Sequence, residues 1–135
     1  MTGVWKKSGW GEMALAICLT LASGACSSTP TQPRPVKHIL LMWLKHPGSA
    51  ADRLQLTRAA HSLRMVPGVL RVETGRTVPV PNAEADRNFD LGVVITFRDR
   101  AALQRYERDP RHADAMQRYL RPLVRRYVVY NLGTR

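Results

Sequence analysis

The stretch Val36 to Lys45 (VKHILLMWLK) constrains the fold more than any other part of the chain. In an extended backbone Val36, His38, Leu40, Met42 and Leu44 point one way, and Ile39, Leu41 and Trp43 the other. Both faces are apolar. Such a strand belongs inside a sheet that helices cover on one face and something else covers on the other. Pro47-Gly48 then turns the chain, and Ser49 with Asp52 three residues on marks a helix start. The helix is predicted over Ala50 to about Met65, with Leu56, Ala59, Ala60 and Leu63 on one stripe, and Pro67-Gly68 ends it.

A second strand is predicted over Val69 to Val78, and the prolines and charges of Pro79 to Asn88 exclude regular structure there. Phe89 to Phe97 alternates as a third strand, with Phe89, Leu91, Val93, Ile95 and Phe97 on its apolar face. Asp99 caps a helix that carries Leu103 and Tyr106 inward. Asp109-Pro110 resets the chain, with Asp109 as cap and Pro110 at the first helical position of a helix reaching about Leu123. Arg126 to Leu132 closes as a fourth strand. The order β-α-β-β-α-β is the ferredoxin-like α+β plan, a four-stranded antiparallel sheet with helices on one face. The opposite face is expected to expose Leu40, Met42 and Val94, an apolar patch that a second copy of the chain would cover.

Ahead of this domain lies a segment of another kind. Lys6 and Lys7 give a positive start, Met13 to Ala22 (MALAICLTLA) is an unbroken apolar run, and Ser23-Gly24-Ala25 supplies small side chains at a cleavage site. The run is too short to cross roughly 30 Å of hydrocarbon comfortably. Residues 1–25 therefore read as a signal peptide. Ser23-Gly24-Ala25-Cys26 resembles a bacterial lipobox, which implies that Cys26 is lipidated and that the protein is held at the cell envelope, outside the cytoplasm. Plain secretion is the alternative. Residues 26–35, polar and proline-rich, read as a tether, and the domain spans 36–132.

With Cys18 in the leader and Cys26 carrying lipid, the mature domain has no thiol, so disulfides and cysteine-metal sites are excluded. The net charge of the whole chain, +11, raises nucleic acid as a partner. Export and the scatter of the arginines, without stacking aromatics among them, argue against that; the charges read first as solvated faces, with attraction to anionic headgroups as the functional alternative for a tethered basic domain. No glycine-rich phosphate loop, serine elbow or paired-carboxylate pattern supports a kinase or hydrolase.

Taken together, Val36-Lys37-His38-Ile39-Leu40-Leu41, Val66-Pro67-Gly68-Val69, Phe89-Asp90-Leu91, Tyr106-Glu107-Arg108-Asp109-Pro110-Arg111-His112 and Leu120-Arg121-Pro122-Leu123-Val124 resemble, in order and spacing, the stress-responsive α/β-barrel (Dabb) family. The resemblance implies a homodimeric α/β barrel with a cavity between sheet and helices in each subunit. It includes a plant enzyme, olivetolic acid cyclase, that performs an intramolecular aldol condensation without metal or organic cofactor. That enzyme's functional histidines and tyrosine match His38, Tyr106 and His112. The family's usual first histidine in its His-Pro turn is Asp109 here.

The residues suit that chemistry. His38 sits on a strand among aliphatic side chains, and His112 lies in the first turn after Pro110, where the helix N-terminus favours neutral imidazole. Tyr106 is placed to donate to a developing enolate or phenolate. Leu40, Met42, Val94, Met116 and Leu123 are expected to line the cavity. Three readings follow: a homodimer that binds a small apolar or aromatic molecule; a cofactor-free lyase or cyclase with His112 as base, His38 as orienting partner and Tyr106 as donor; and, by fold analogy alone, haem-binding or monooxygenase chemistry. In the first two no cofactor is expected, and two histidines without a third ligand make a poor metal site. His46 and His61 are expected on the surface.

Overall fold

Four strands, β1 (Val36–Leu44), β2 (Val69–Gly75), β3 (Leu91–Phe97) and β4 (Val124–Gly133), form one antiparallel sheet in the order β2–β3–β1–β4. The computed structural model describes residues 32–79, 81 and 88–133. The expected leader, Cys26 and the first part of the tether lie outside these residues, as do residues 80 and 82–87 between β2 and β3. The chain divides into two units, Met1–Pro30 and Thr31–Arg135, and only the second is described. Element order and sheet topology are those of the ferredoxin-like α+β fold. Among the described residues no helix is long and apolar enough to cross a membrane.

The helices form where capping chemistry starts them. In α1 (Ala50–Ser62) the Ser49 hydroxyl accepts the Asp52 amide at 3.2 Å, and a 3₁₀ turn, Leu63–Met65, finishes the helix. In α2 (Arg100–Glu107) the Asp99 carboxylate accepts the Ala102 amide at 2.7 Å. In α3 (Pro110–Ala115) Asp109 accepts the Arg111 amide at 2.8 Å, and Pro110 stands at the helix start where no amide is missed. The chain continues from α3 through a π-helical turn, Met116–Leu120, into a last turn, Arg121–Leu123. Pro122 has no amide to offer the preceding turn and its ring crowds that turn's carbonyl, so the helix widens ahead of it.

The sheet orientation corrects one expectation. Leu40 and Met42 face the helices, not the open side. On β3, Leu91, Val93, Ile95 and Phe97 are all buried, and they pair in register with Met42, Leu40, His38 and Val36. Paired residues share a face, so that set of β1 goes inward with them. The uncovered face carries Ile39, Leu41 and Val94, joined by Val128 and Tyr130 of β4 through the pairs Leu41–Val128 and Ile39–Tyr130. At its end the Arg126 guanidinium lies 4.4 Å over the Trp43 ring.

Strand limits also differ from expectation. β2 ends at Gly75, three residues early. β3 starts at Leu91, and Asp90 just before it ties this end of the sheet to the turn after β1: its amide donates to the Met42 carbonyl, and its carboxylate accepts the Leu44 and Gly48 amides, each at 2.9 Å. β4 begins at Val124, two residues before expected, across a bulge at Trp43 and Leu44. The core lies between sheet and helices, where Met42, Leu44 and Phe97 are the largest side chains fully buried.

Candidate functional site

His38 reaches the core from the middle of β1, and its cross-strand partner on β4 is Asn131. That register brings Asn131 Oδ1 to 2.7 Å from His38 Nδ1. An amide oxygen only accepts, so the bond places the imidazole proton on Nδ1 and leaves the lone pair on Nε2. The His38 pKa lies below its ordinary value. Burial is the main cause and His112 adds to it, while the Asn131 bond and the Glu107 carboxylate pull the other way. His38 is therefore held neutral.

Tyr106 is buried near the end of α2, with its ring 4.9 Å from Phe97 and 5.9 Å from His38 between centroids. Burial, helped by Glu107, raises its pKa well above the usual phenol range, so the hydroxyl stays a donor. His112, in the first turn of α3, stacks at a tilt on Tyr106 with centroids 4.6 Å apart. Its Nδ1 lies 3.4 Å from the Glu107 carbonyl, a long contact that again favours the tautomer with its lone pair on Nε2. The break between α2 and α3 makes this possible: Asp109 ends one helix and caps the next, and Arg111 Nη1 donates to the Met65 carbonyl at 2.7 Å, tying the new helix to the end of α1.

These three side chains border a cavity of about 240 Å³ between sheet and helices. Leu40, Met42 and Met116 also line it, as expected. Val94 does not, since it points to the opposite face of the sheet, and Leu123 packs against the core outside the lining. Most of the remaining wall is aliphatic, from Leu56, Leu63, Val93, Ile95 and Leu120. Sequence reasoning missed Asn131, Glu107, Tyr127 and Val129. The three on β4 alternate along one face, but only the pairing with β1 shows that this face meets the cavity.

The two other histidines have local partners. His46 is exposed and its Nδ1 lies 3.1 Å from the buried Asp52 carboxylate. His61 departs from the expected surface position: it is half-buried against β2, with Nε2 3.4 Å from the Thr74 hydroxyl and a buried Nδ1 lacking a hydrogen-bond partner. Among the described residues no group of three His, Cys, Asp or Glu could hold a metal ion. What the arrangement offers is two imidazole acceptors and one phenol donor in an apolar enclosure. Such a set can orient a hydroxyl or carbonyl and can move a proton at it.

Comparison with known proteins agrees with this architecture. Residues 36–132 match the family model described as the Stress responsive A/B Barrel Domain, Dabb. A Dabb-family protein with a ferredoxin-like fold from Mesorhizobium loti superposes with a TM-score of 0.63 at 21% identity, covering 76% of this chain and 98% of that one. A hydroxynitrile lyase from Passiflora edulis gives 0.65 at 18% identity, over 76% of this chain and 95% of that one. A dimeric ferredoxin-like protein from Thermobifida fusca gives 0.61 at 19%, over 76% and 93%. At such identities the likeness establishes the fold. No curated protein matches the sequence.

Proposed function

Because the chain belongs to the stress-responsive A/B barrel domain (Dabb) family, we propose that it is a homodimer which binds a small apolar or aromatic molecule bearing a hydroxyl or carbonyl. The observation that carries this reading is the convergence of His38, Tyr106 and His112 on an otherwise largely aliphatic cavity. Apolar walls supply affinity, and a few convergent polar groups fix orientation. The uncovered sheet face with Ile39, Leu41 and Val94 supports pairing of two copies, as do the dimeric proteins from Thermobifida fusca and Bacteroides fragilis that share the fold. The Met13–Ala22 apolar run and Cys26 support a lipid anchor at the cell envelope.

A second reading is favoured by the tautomers. With Nδ1 of both imidazoles engaged, His112 is placed to act as a base, His38 to orient, and Tyr106 to donate to the oxyanion that forms. This is cofactor-free lyase or cyclase chemistry of the olivetolic acid cyclase type, and the Passiflora hydroxynitrile lyase carries a lyase activity on the same fold. Titration with 2-naphthol, followed by NMR of the histidine rings, tests the binding reading. Saturable shifts at His38 and His112 are expected; no saturable change at either ring would end it. For the lyase reading, a substrate turned over equally well by His112→Ala would be decisive against it.

A further inference from the structure

The cavity contradicts the charge of the chain around it. The protein carries 21 Lys and Arg against 10 Asp and Glu, a net +11, and such a field gathers anions at the surface. Yet among the described residues lining the cavity there is no Lys or Arg. Apart from the two histidines, the one charged side chain is Glu107. It is the last residue of α2 and is exposed while contributing to the lining, which places it at the mouth. Its carboxylate is a minor influence beside burial on both His38 and Tyr106, in keeping with a place at the rim of the cavity.

Resting on the ligand-binding reading above, we propose that Glu107 is the specificity-determining residue that restricts the cavity to uncharged ligands. An anion entering it sheds hydration against aliphatic walls, meets no cation, and passes a carboxylate on the way. An uncharged hydroxyl loses far less, since an imidazole Nε2 lone pair is there to receive it. Electrostatics at the surface and in the cavity thus act in opposite senses: aromatic carboxylates collect outside, and neutral aromatics enter.

Two probes on the same ring system separate these terms: 2-naphthol and 2-naphthoate, titrated into the full-length protein at pH 8, where unperturbed imidazole is neutral. Wild-type protein should bind the naphthol more tightly. Glu107→Gln, an isosteric change at an exposed position outside the described ion pairs, should shrink the naphthol-to-naphthoate affinity ratio by about three- to tenfold at low salt. Glu107→Lys should shrink it further, and salt should narrow the difference between variants, because an exposed charge is screened. A merely structural role would move both probes together. The inference is overturned if the ratio is unchanged in Glu107→Gln or if wild-type protein binds naphthoate as tightly as naphthol. If neither probe binds wild-type protein, the ligand-binding reading itself fails and takes the inference with it.

Discussion

Replacing Asn131 by Ala removes the acceptor that fixes the His38 ring, across a bond of 2.7 Å. Leaving a buried donor unpaired costs about 1–3 kcal/mol. His38 is buried, but Asn131 itself is exposed, so water can approach the vacated side and the lower end applies, about 1 kcal/mol. For a domain of this size that lowers Tm by about 4–8 °C. The larger consequence is chemical. Without the amide oxygen, nothing favours the proton on Nδ1, and the tautomer protonated at Nε2 gains population. The cavity then loses an acceptor, and 2-naphthol affinity should fall about two- to tenfold, the worth of one neutral hydrogen bond. Asn131→Asp keeps an acceptor and adds charge, so it should restore the Nδ1–H state while favouring imidazolium. Two-bond nitrogen–proton NMR reads the tautomer directly, and thermal melts read the stability. If wild-type His38 carries its proton on Nε2, the reasoning is wrong whatever the melt shows.

Acidification should destabilise the fold through the same residue. Burial sets the His38 pKa below 6.5, so as pH falls the unfolded chain takes up this proton before the folded one does. The contribution is fully present above pH 6.5 and is lost as pH falls through the folded-state value; denaturant unfolding at pH 8 and pH 5 should show a loss that His38→Leu lessens, and equal losses in both proteins would count against it. Gly68→Ala should cost about 2–4 kcal/mol, because φ there is +92° and the new Cβ would stand 2.5 Å from the Ala102 Cβ. Urea unfolding checks this, and the cost should drop in an Ala102→Gly background. Leu41→Asp, on the uncovered sheet face, should turn the proposed dimer into monomers in sedimentation analysis; wild-type and variant proteins of equal mass in solution would place any interface elsewhere. Intact mass of the membrane fraction should show acyl chains on Cys26, and an unmodified soluble product would refute the anchor.

Much of the fold was legible because local chemistry marks it. Ser49, Asp99 and Asp109-Pro110 announce three helix starts, and each side chain caps as its type demands. The strict alternation of Leu91, Val93, Ile95 and Phe97 identifies β3 and its inner face. β1 offers no such choice, being apolar on both sides, so the pattern alone puts Leu40, Met42 and Val94 on one face although Val94 lies opposite the other two. A strand without polar alternation does not say which way it turns; its neighbour's register does.

The candidate site divides in the same way. His38, Tyr106 and His112 could be picked out one by one, as polar groups placed among apolar neighbours or at a helix start. Asn131 could not, because a polar residue in an edge strand looks like any solvated one until pairing sets it opposite His38. Glu107 likewise reads as an exposed helix end until α2 and α3 fold over the sheet and leave it beside the opening. Local pattern is enough for the elements, their order and the identity of the three rings. Which face is hidden, which tautomer is held and what charge stands at the cavity mouth follow from the packed fold, since these depend on residues far apart in the chain whose approach no local pattern records.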